Sequence, residues 1–260
     1  MYIKRWILAL TLVTMMLVSI ASADDVQPAA SQGKDGKTGI FANEKIKVAG
    51  KQRAYRLVVP KDLPADKPVP LLFAFHGLGD SKDLMAFYSQ LDKLAAKEHF
   101  ILIYPNAVNR MWPIVPIIAG EDLAFFDKLY DLATESYNID LDRVYLTGMS
   151  NGAYFSHVVA SERADKIAAI APHSGGLGVF ARRELKVKPK YAVFVIHGDA
   201  DSIVPVKEGR ATRDAYKKWG HQVEYLEVKD WNHLWAFNVD VNSKMWKFFA
   251  DHPRQKEDVK

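Results

Sequence analysis

Gly148-Met149-Ser150-Asn151-Gly152 reads G-x-S-x-G, and the segments on either side give it meaning. Val144-Tyr145-Leu146-Thr147 ahead of it is a short β-branched and apolar run, the composition of a buried strand. Ala153-Tyr154-Phe155-Ser156-His157-Val158-Val159-Ala160 after it lacks Gly and Pro and suits a helix. Strand, sharp turn and helix in succession lift a serine Oγ clear of a parallel sheet. The flanking glycines meet a packing need, because such a turn presses backbone against backbone where a Cβ would collide. The serine then lies at a helix N-terminus, whose free N–H groups favour developing negative charge. The stretch predicts a nucleophile at Ser150.

A serine hydroxyl is a weak nucleophile until a histidine takes its proton and a carboxylate fixes that histidine's tautomer. In such folds the acid follows the serine, and the histidine follows the acid. Tyr191-Ala192-Val193-Phe194-Val195-Ile196 is strand-like and leads into His197-Gly198-Asp199-Ala200-Asp201-Ser202-Ile203-Val204-Pro205. Two acids, Asp199 and Asp201, therefore compete at the carboxyl end of a parallel strand, where these sheets place ligand-facing groups. The loser is expected to cap the following helix or to hold the loop through side chain to backbone bonds. Of the later histidines, His221 sits in a helix-to-strand connection and is read as a solvated loop residue, and His252 lies in a charged tail. His233 lies between the strand-like Val223–Val228 run and the final helix, which makes it the base.

An acyl-transfer site also needs two N–H donors for an oxyanion. The residue after the nucleophile, Asn151, supplies one. Val69-Pro70-Leu71-Leu72-Phe73-Ala74-Phe75 reads as a buried strand ending in His76-Gly77-Leu78-Gly79-Asp80, and the Leu78 amide supplies the other. His76 precedes the serine and is read as a brace for this loop. His99, His157 and His173 are also read as structural.

Together these blocks resemble an α/β-hydrolase of the polyhydroxybutyrate depolymerase and feruloyl-esterase-like group. Members carry D-x-x-R-V-Y-x-T-G-M-S-N-G, then H-G-x-x-D-x-x-V-P, then G-x-x-H-x-W. Asp140 to Gly152, His197 to Pro205 and Asp230 to Trp235 match these in turn, over a resemblance spanning roughly residues 44 to 250. The resemblance implies Ser150 as nucleophile, Asp201 rather than Asp199 as orienting acid, and His233 as base. It implies an α/β fold with a mostly parallel central sheet and helices on both faces, and no cofactor or metal. This chain departs from the pattern at Leu78-Gly79-Asp80-Ser81, where relatives often carry a cysteine and a glutamine. It departs again at Ala153, at Asp230-Trp231-Asn232 and at Ala236. These positions bear on the substrate more than on the chemistry.

Met1 to Ala23 carries Lys4 and Arg5, an apolar run from Trp6 to Ile20 and an Ala-Ser-Ala end, the pattern of a secretory signal cleaved after Ala23. The expected location is periplasmic or extracellular, with no membrane contact after cleavage. No cysteine is present, so neither a disulfide nor a thiol zinc site is available. Residues 24–43 are polar and read as a disordered lead, 44–252 as one catalytic domain, and 253–260 as a charged tail. Alternating strand-like and helical runs across that domain, among them a helix expected from about Asp83 to Glu98, also predict a mostly parallel sheet covered on both faces. The net charge is +4, of which Lys4 and Arg5 supply two, so the balance gives little reason to expect nucleic acid. The basic cluster from Arg182 to Lys190 reads as a solvated face. Asn106 to Ile118, apolar and broken by two prolines, is read as a pocket wall bearing Trp112, in preference to a buried connector. Trp231 and Trp235 flank His233 and are read as substrate contacts or as packing for its loop.

The expected function is that of a secreted serine esterase on a small or oligomeric ester. Hydroxyalkanoate oligoesters come first by resemblance, and feruloyl or acetyl esters on polysaccharide second. A prolyl-oligopeptidase-type peptidase would share the triad, but such enzymes usually carry an added domain that this chain lacks. A non-catalytic binding protein would have lost a triad member, and none is lost.

Overall fold

The computed structural model describes residues 38–64, 66–178 and 189–254. The expected signal sequence, residues 24–37 of the lead, most of the basic cluster and the last six residues of the tail lie outside the described residues. Eight strands form one sheet: β1 (Gly39–Val48), β2 (Lys51–Val59), β3 (Val69–Phe75), β4 (Ile101–Pro105), β5 (Ile139–Met149), β6 (Ala169–His173), β7 (Ala192–Gly198) and β8 (Val223–Val228). Their order across the sheet is β1-β2-β4-β3-β5-β6-β7-β8. The β1–β2 and β2–β4 pairs are antiparallel, and every pair from β4 to β8 is parallel. Six helices accompany them: α1 (Lys82–Ser89), α2 (Leu91–Glu98), α3 (Gly120–Ser136), α4 (Asn151–Glu162), α5 (Lys207–Lys218) and α6 (Val241–Asp251).

A two-faced sheet needs strands that are apolar on both sides, and β3 is buried at all seven positions. Its side chains alternate with the strand period of two. Leu71, Phe73 and Phe75 join a core with residues of α3, α4 and α5, while Leu72 and Ala74 join a core with α1, α2 and α6. The first core gathers Phe73 on Phe126 at 4.8 Å between ring centroids, and Phe75 edge-on to Phe155 at 5.0 Å. The second stacks Tyr145 on Phe249 at 4.6 Å and Phe100 on Trp246 at 4.2 Å.

Three boundaries differ from the sequence expectation. The ordered fold begins before residue 44, because β1 starts at Gly39 and pairs Gly39 with Val59 across the hairpin. Gly39, Ile40 and Phe41 pair with Val59, Val58 and Leu57, and a register shift between Phe41 and Glu44 carries the strand past Ala42 and Asn43. The helix expected over Asp83–Glu98 is two helices, broken where Gln90 takes a left-handed φ of 55°. The tail is anchored at its start: the Arg254 N–H donates to the Asp142 carbonyl at 2.7 Å, and its guanidinium pairs with the Asp142 carboxylate at 2.9 Å.

Chain order places β3 beside β5 at the centre of the sheet, with Phe75 opposite Gly148. The loops after these two strands therefore emerge side by side at the carboxyl edge, the position where open α/β sheets bind ligands. Phe75 locks this junction, being fully buried against Phe155 and Trp112. Replacing Phe75 with Ala is expected to cost about 3–5 kcal/mol of unfolding free energy, read from urea denaturation followed by circular dichroism. A loss under ~1 kcal/mol would show that the junction is held by other contacts.

Candidate active site

Ser150 stands between β5 and α4 with φ 54° and ψ −117°, a backbone conformation that non-glycine residues avoid. The strain is held by two close approaches. A Cβ at Gly148 would lie 2.4 Å from the Gly152 backbone, and one at Gly152 would lie 2.1 Å from the Phe75 carbonyl oxygen. No side chain fits at either point, so α4 packs directly on the ends of β3 and β5. The Ser150 N–H donates to the His173 carbonyl at 2.9 Å, tying the turn to β6 as well.

Asp201 and His233 come together from separate loops. His233 Nδ1 donates to Asp201 Oδ2 at 2.7 Å, and the Asp201 side chain is fully buried. Asp201 Oδ1 accepts the Ile203 and Val204 amides at 2.9 and 2.8 Å. With its proton on Nδ1, the neutral His233 ring keeps a lone pair at Nε2. His233 and Ser150 line one cavity of about 350 Å³. Asp199 makes a different contact: its carboxylate accepts the Asp230 amide at 2.7 Å and holds the loop, as expected for the acid not chosen.

Two residues outside the sequence prediction complete this junction. Asn232 Oδ1 accepts the Ser202 amide and hydroxyl, both at 3.0 Å, and the His233 amide at 2.7 Å, stitching the acid loop to the histidine loop. His197 is fully buried, with Nε2 donating to the Val204 carbonyl at 2.8 Å and lying 3.4 Å from Asp201 Oδ2. His197 thus approaches the same carboxylate oxygen that accepts from His233. The His-Gly pair before Asp199 was visible in the sequence, but its hydrogen-bonding role was not.

The loop after β3 faces the serine. Gly77 and Leu78 line the same cavity. Among the described residues, neither the Leu78 nor the Asn151 N–H donates to a backbone carbonyl. His76 is a brace, as its position before the serine suggested. Its Nε2 accepts the Ala107 amide at 3.0 Å, so Nδ1 carries the proton and donates to the Gly77 carbonyl at 2.8 Å. Burial lowers its pKa and keeps the ring neutral.

The three tryptophans part company. Trp112 is only 1% exposed, stacks on Phe155 at 4.7 Å and donates Nε1–H to the His76 carbonyl at 3.0 Å. It packs as a connector and lines no part of the cavity that holds Ser150, which corrects the expectation of a pocket wall. Asn151 clamps it: the side-chain amide accepts the Trp112 N–H at 2.7 Å and donates to the Trp112 carbonyl at 3.0 Å. Trp231 also packs its loop, donating to the Leu234 carbonyl at 3.0 Å and lying edge-on to Phe237. Trp235 does line the cavity, with His173 against its ring at 4.6 Å and Asn242 on its Nε1–H. The remaining walls are Asp80, Leu84, Tyr88, Met149, Leu234 and Phe237.

The Phospholipase/Carboxylesterase family matches residues 124–239, which include Ser150, Asp201 and His233. The chain has the α/β-hydrolase fold. It is 28% identical over 221 residues to feruloyl esterase D of Neurospora crassa, covering 79% of this chain and 73% of that one. It is 29% identical over 189 residues to a bifunctional acetylxylan esterase/xylanase of Neocallimastix patriciarum. That match takes in 72% of this chain but only 27% of the relative's length. A thermostable esterase of solved structure superposes with a TM-score of 0.67 at 23% identity, covering 82% of this chain and 63% of the other. A ferulic acid esterase from Anaeromyces mucronatus, solved with ferulic acid, gives 0.61 at 18% identity over 86% of this chain and 94% of the other. These relatives and neighbours are carboxylic ester hydrolases by name. Among the described residues of this chain no helix is long and apolar enough to cross a membrane.

Burial sets a pH limit on this fold. His157 and His173 are fully enclosed and their pKa values fall from 6.5 to about 3, while His221, buried and bonded to the Tyr191 carbonyl rather than solvated as expected, falls to about 4, in each case chiefly through desolvation. As pH drops below 6.5, the unfolded chain binds protons that the folded chain refuses. Each group then removes about 1.4 kcal/mol of stability per pH unit, down to its folded pKa. Urea unfolding is expected to show stability falling steeply between pH 6.5 and 4, with a shallower slope for His157→Gln. A flat profile across that window would mean these rings titrate normally in the folded state.

Proposed function

We propose that the hydrolase cleaves carboxylic esters by acyl transfer through Ser150, His233 and Asp201. The observation that carries this reading is that the Asp201–His233 pair opens onto the same cavity as a serine held in a strained turn at a helix N-terminus. In this reading His233 Nε2 takes the Ser150 proton as Oγ attacks the ester carbonyl, and Asp201 stabilises the imidazolium. The Leu78 and Asn151 amides receive the oxyanion. His233 then gives the proton to the leaving alcohol. Water attacks the acyl-enzyme with His233 again as base, and the acid departs. No step calls for a metal or cofactor.

The substrate class follows the relatives. Their names are feruloyl and acetylxylan esterases, which favours aromatic or acetyl esters on polysaccharide over hydroxyalkanoate oligoesters. The cavity walls agree: Tyr88, Trp235 and Phe237 give flat apolar contact suited to an aromatic acyl group. Its size suits a small ester or the end of an oligomer. Cleavage of esters on extracellular polysaccharide also fits the signal sequence read in residues 1–23.

Ser150→Ala is expected to lower kcat on p-nitrophenyl acetate and methyl ferulate by about 10⁴-fold or more, and Asp201→Asn by about 10⁴-fold. Hydroxybutyrate oligomers should rank below both esters. Equal inertness of the wild type and Ser150→Ala, together with no labelling by a fluorophosphonate, would remove the enzyme reading.

A further inference from the structure

A single carboxylate enters the wall of a cavity that is otherwise mostly apolar away from Ser150 and His233. Asp80 lines it together with Ser150, Leu84, Tyr88, Leu234 and Phe237. The residue ends a tight turn in which its own amide donates to the Gly77 carbonyl at 3.2 Å. The turn is pinned from outside by the Gly79 amide on the Arg110 carbonyl at 2.9 Å and by Arg110 Nε on the Asp80 carbonyl at 3.1 Å. Arg110 is thereby bonded to the backbone of Asp80, and among the described residues no lysine or arginine forms an ion pair with its side chain.

The local fold does not need this charge. A carboxylate near a helix start can serve as a cap, but α1 is capped by Ser81, whose Oγ accepts the Leu84 amide at 3.2 Å. Asp83 supplies negative charge in the first turn. What faces Asp80 is the Tyr88 hydroxyl, buried beside the carboxylate and the Gly77 backbone without the geometry of a full hydrogen bond. Burial and the Asp80 charge push that phenol up, so it stays protonated and leaves the carboxylate as the acceptor. Asp80 also stands in the Leu78-Gly79-Asp80-Ser81 stretch, where the sequence leaves the family pattern.

We infer that Asp80 is a specificity-determining residue: its carboxylate accepts a hydrogen bond from a hydroxyl on the aromatic acyl group lodged in this cavity, and selects hydroxylated over alkylated or anionic acyl groups. The inference rests on the proposed esterase activity and adds the acyl group's polar end to it. An apolar pocket discriminates weakly against an added group, whereas a half-buried carboxylate that a ligand covers and leaves unmatched loses its remaining hydration. A hydroxyl donating to a carboxylate is a charge-assisted bond, and the methyl ether of the same ring cannot donate at all. A second carboxylate on the ring would meet Asp80 as a like charge across low-dielectric walls.

The test compares kcat/KM for methyl esters of 4-hydroxycinnamate, 4-methoxycinnamate and 4-carboxycinnamate, in the wild type and in Asp80→Asn, Asp80→Leu and Tyr88→Phe. The wild type is expected to prefer the hydroxyl over the methoxy ester by roughly 10- to 100-fold. Asp80→Leu should bring that ratio to within about 2-fold, and Asp80→Asn should fall between, because its amide oxygen still accepts. Asp80→Asn should also gain about tenfold or more on the carboxy ester relative to the methoxy ester. Tyr88→Phe should keep the wild-type preference. Asn is close to isosteric and keeps the turn, so it decides the matter should the Leu variant misfold. Ratios unchanged in Asp80→Asn and Asp80→Leu would overturn the inference and leave the triad reading intact. A wild type inert towards every ester, p-nitrophenyl acetate included, would overturn the proposed function and this inference with it.

Discussion

The contact on which the site depends is the one between the start of α4 and the end of β3. With no side chain at Gly152, the helix backbone comes onto the Phe75 carbonyl at a distance no Cβ allows. Gly148 permits the matching approach from β5. Between them the chain must reverse in one residue, and Ser150 takes the positive φ that this requires. The strain at Ser150 is therefore set by packing on both sides and does not depend on any interaction of its own hydroxyl. The same contact fixes the height of Gly77 and Leu78 above the sheet, because they continue directly from β3.

Around that fixed point the other groups are assembled by short polar bonds between loops. Asp201 arrives from the end of β7 and His233 from the end of β8, and these neighbouring parallel strands leave their loops side by side. Asn232 joins the two loops through one amide oxygen, Asp199 adds a second link to Asp230, and His197 brings its Nε2 to 3.4 Å from the carboxylate. The Asn232 and Asp199 links lie in exposed loops, whereas the bonds made by Asp201 and His197 are part-buried, where an unmade bond would carry a desolvation cost. The proposed acid and base are thus held by redundant restraints, as a preorganised site needs, because reorganisation at the moment of reaction would be charged against the barrier. Trp112 makes an equivalent brace on the other side, joining Asn151 to the His76 carbonyl.

Much of this was legible in the sequence, and the reasons differ by residue. Ser150 was readable because a strand, two glycines and a helix leave few other folds. His233 followed from chain order and elimination. The sheet followed from apolar runs of strand length, since a strand covered on both faces has no polar side to show. Trp112 was misplaced for a physical reason: aromatic residues between prolines look alike whether they face a ligand or the core, and only the stack on Phe155 separates the two. Leu84 and Tyr88 were missed because their helix looked like any surface helix, and the cavity forms only when the loop after β8 comes to lie against it. The early start of β1 was hidden by the polar lead that runs up to Gly39, because edge pairing with β2 orders residues that stay largely outside the core.

These differences separate chemistry from choice of substrate. The groups proposed to make and break bonds are set at strand ends, and the packing that holds them reads directly from short motifs. The walls proposed to choose the acyl group come from α1 and from the loop between β8 and α6, which meet only in the folded chain. A change in that second set, such as Asp80 in the turn after β3, leaves the strained serine and the Asp201–His233 bond untouched while altering what the cavity attracts. Relatives with the same three residues can therefore differ widely in the esters they take, and the side chains to compare among them are those that face the cavity.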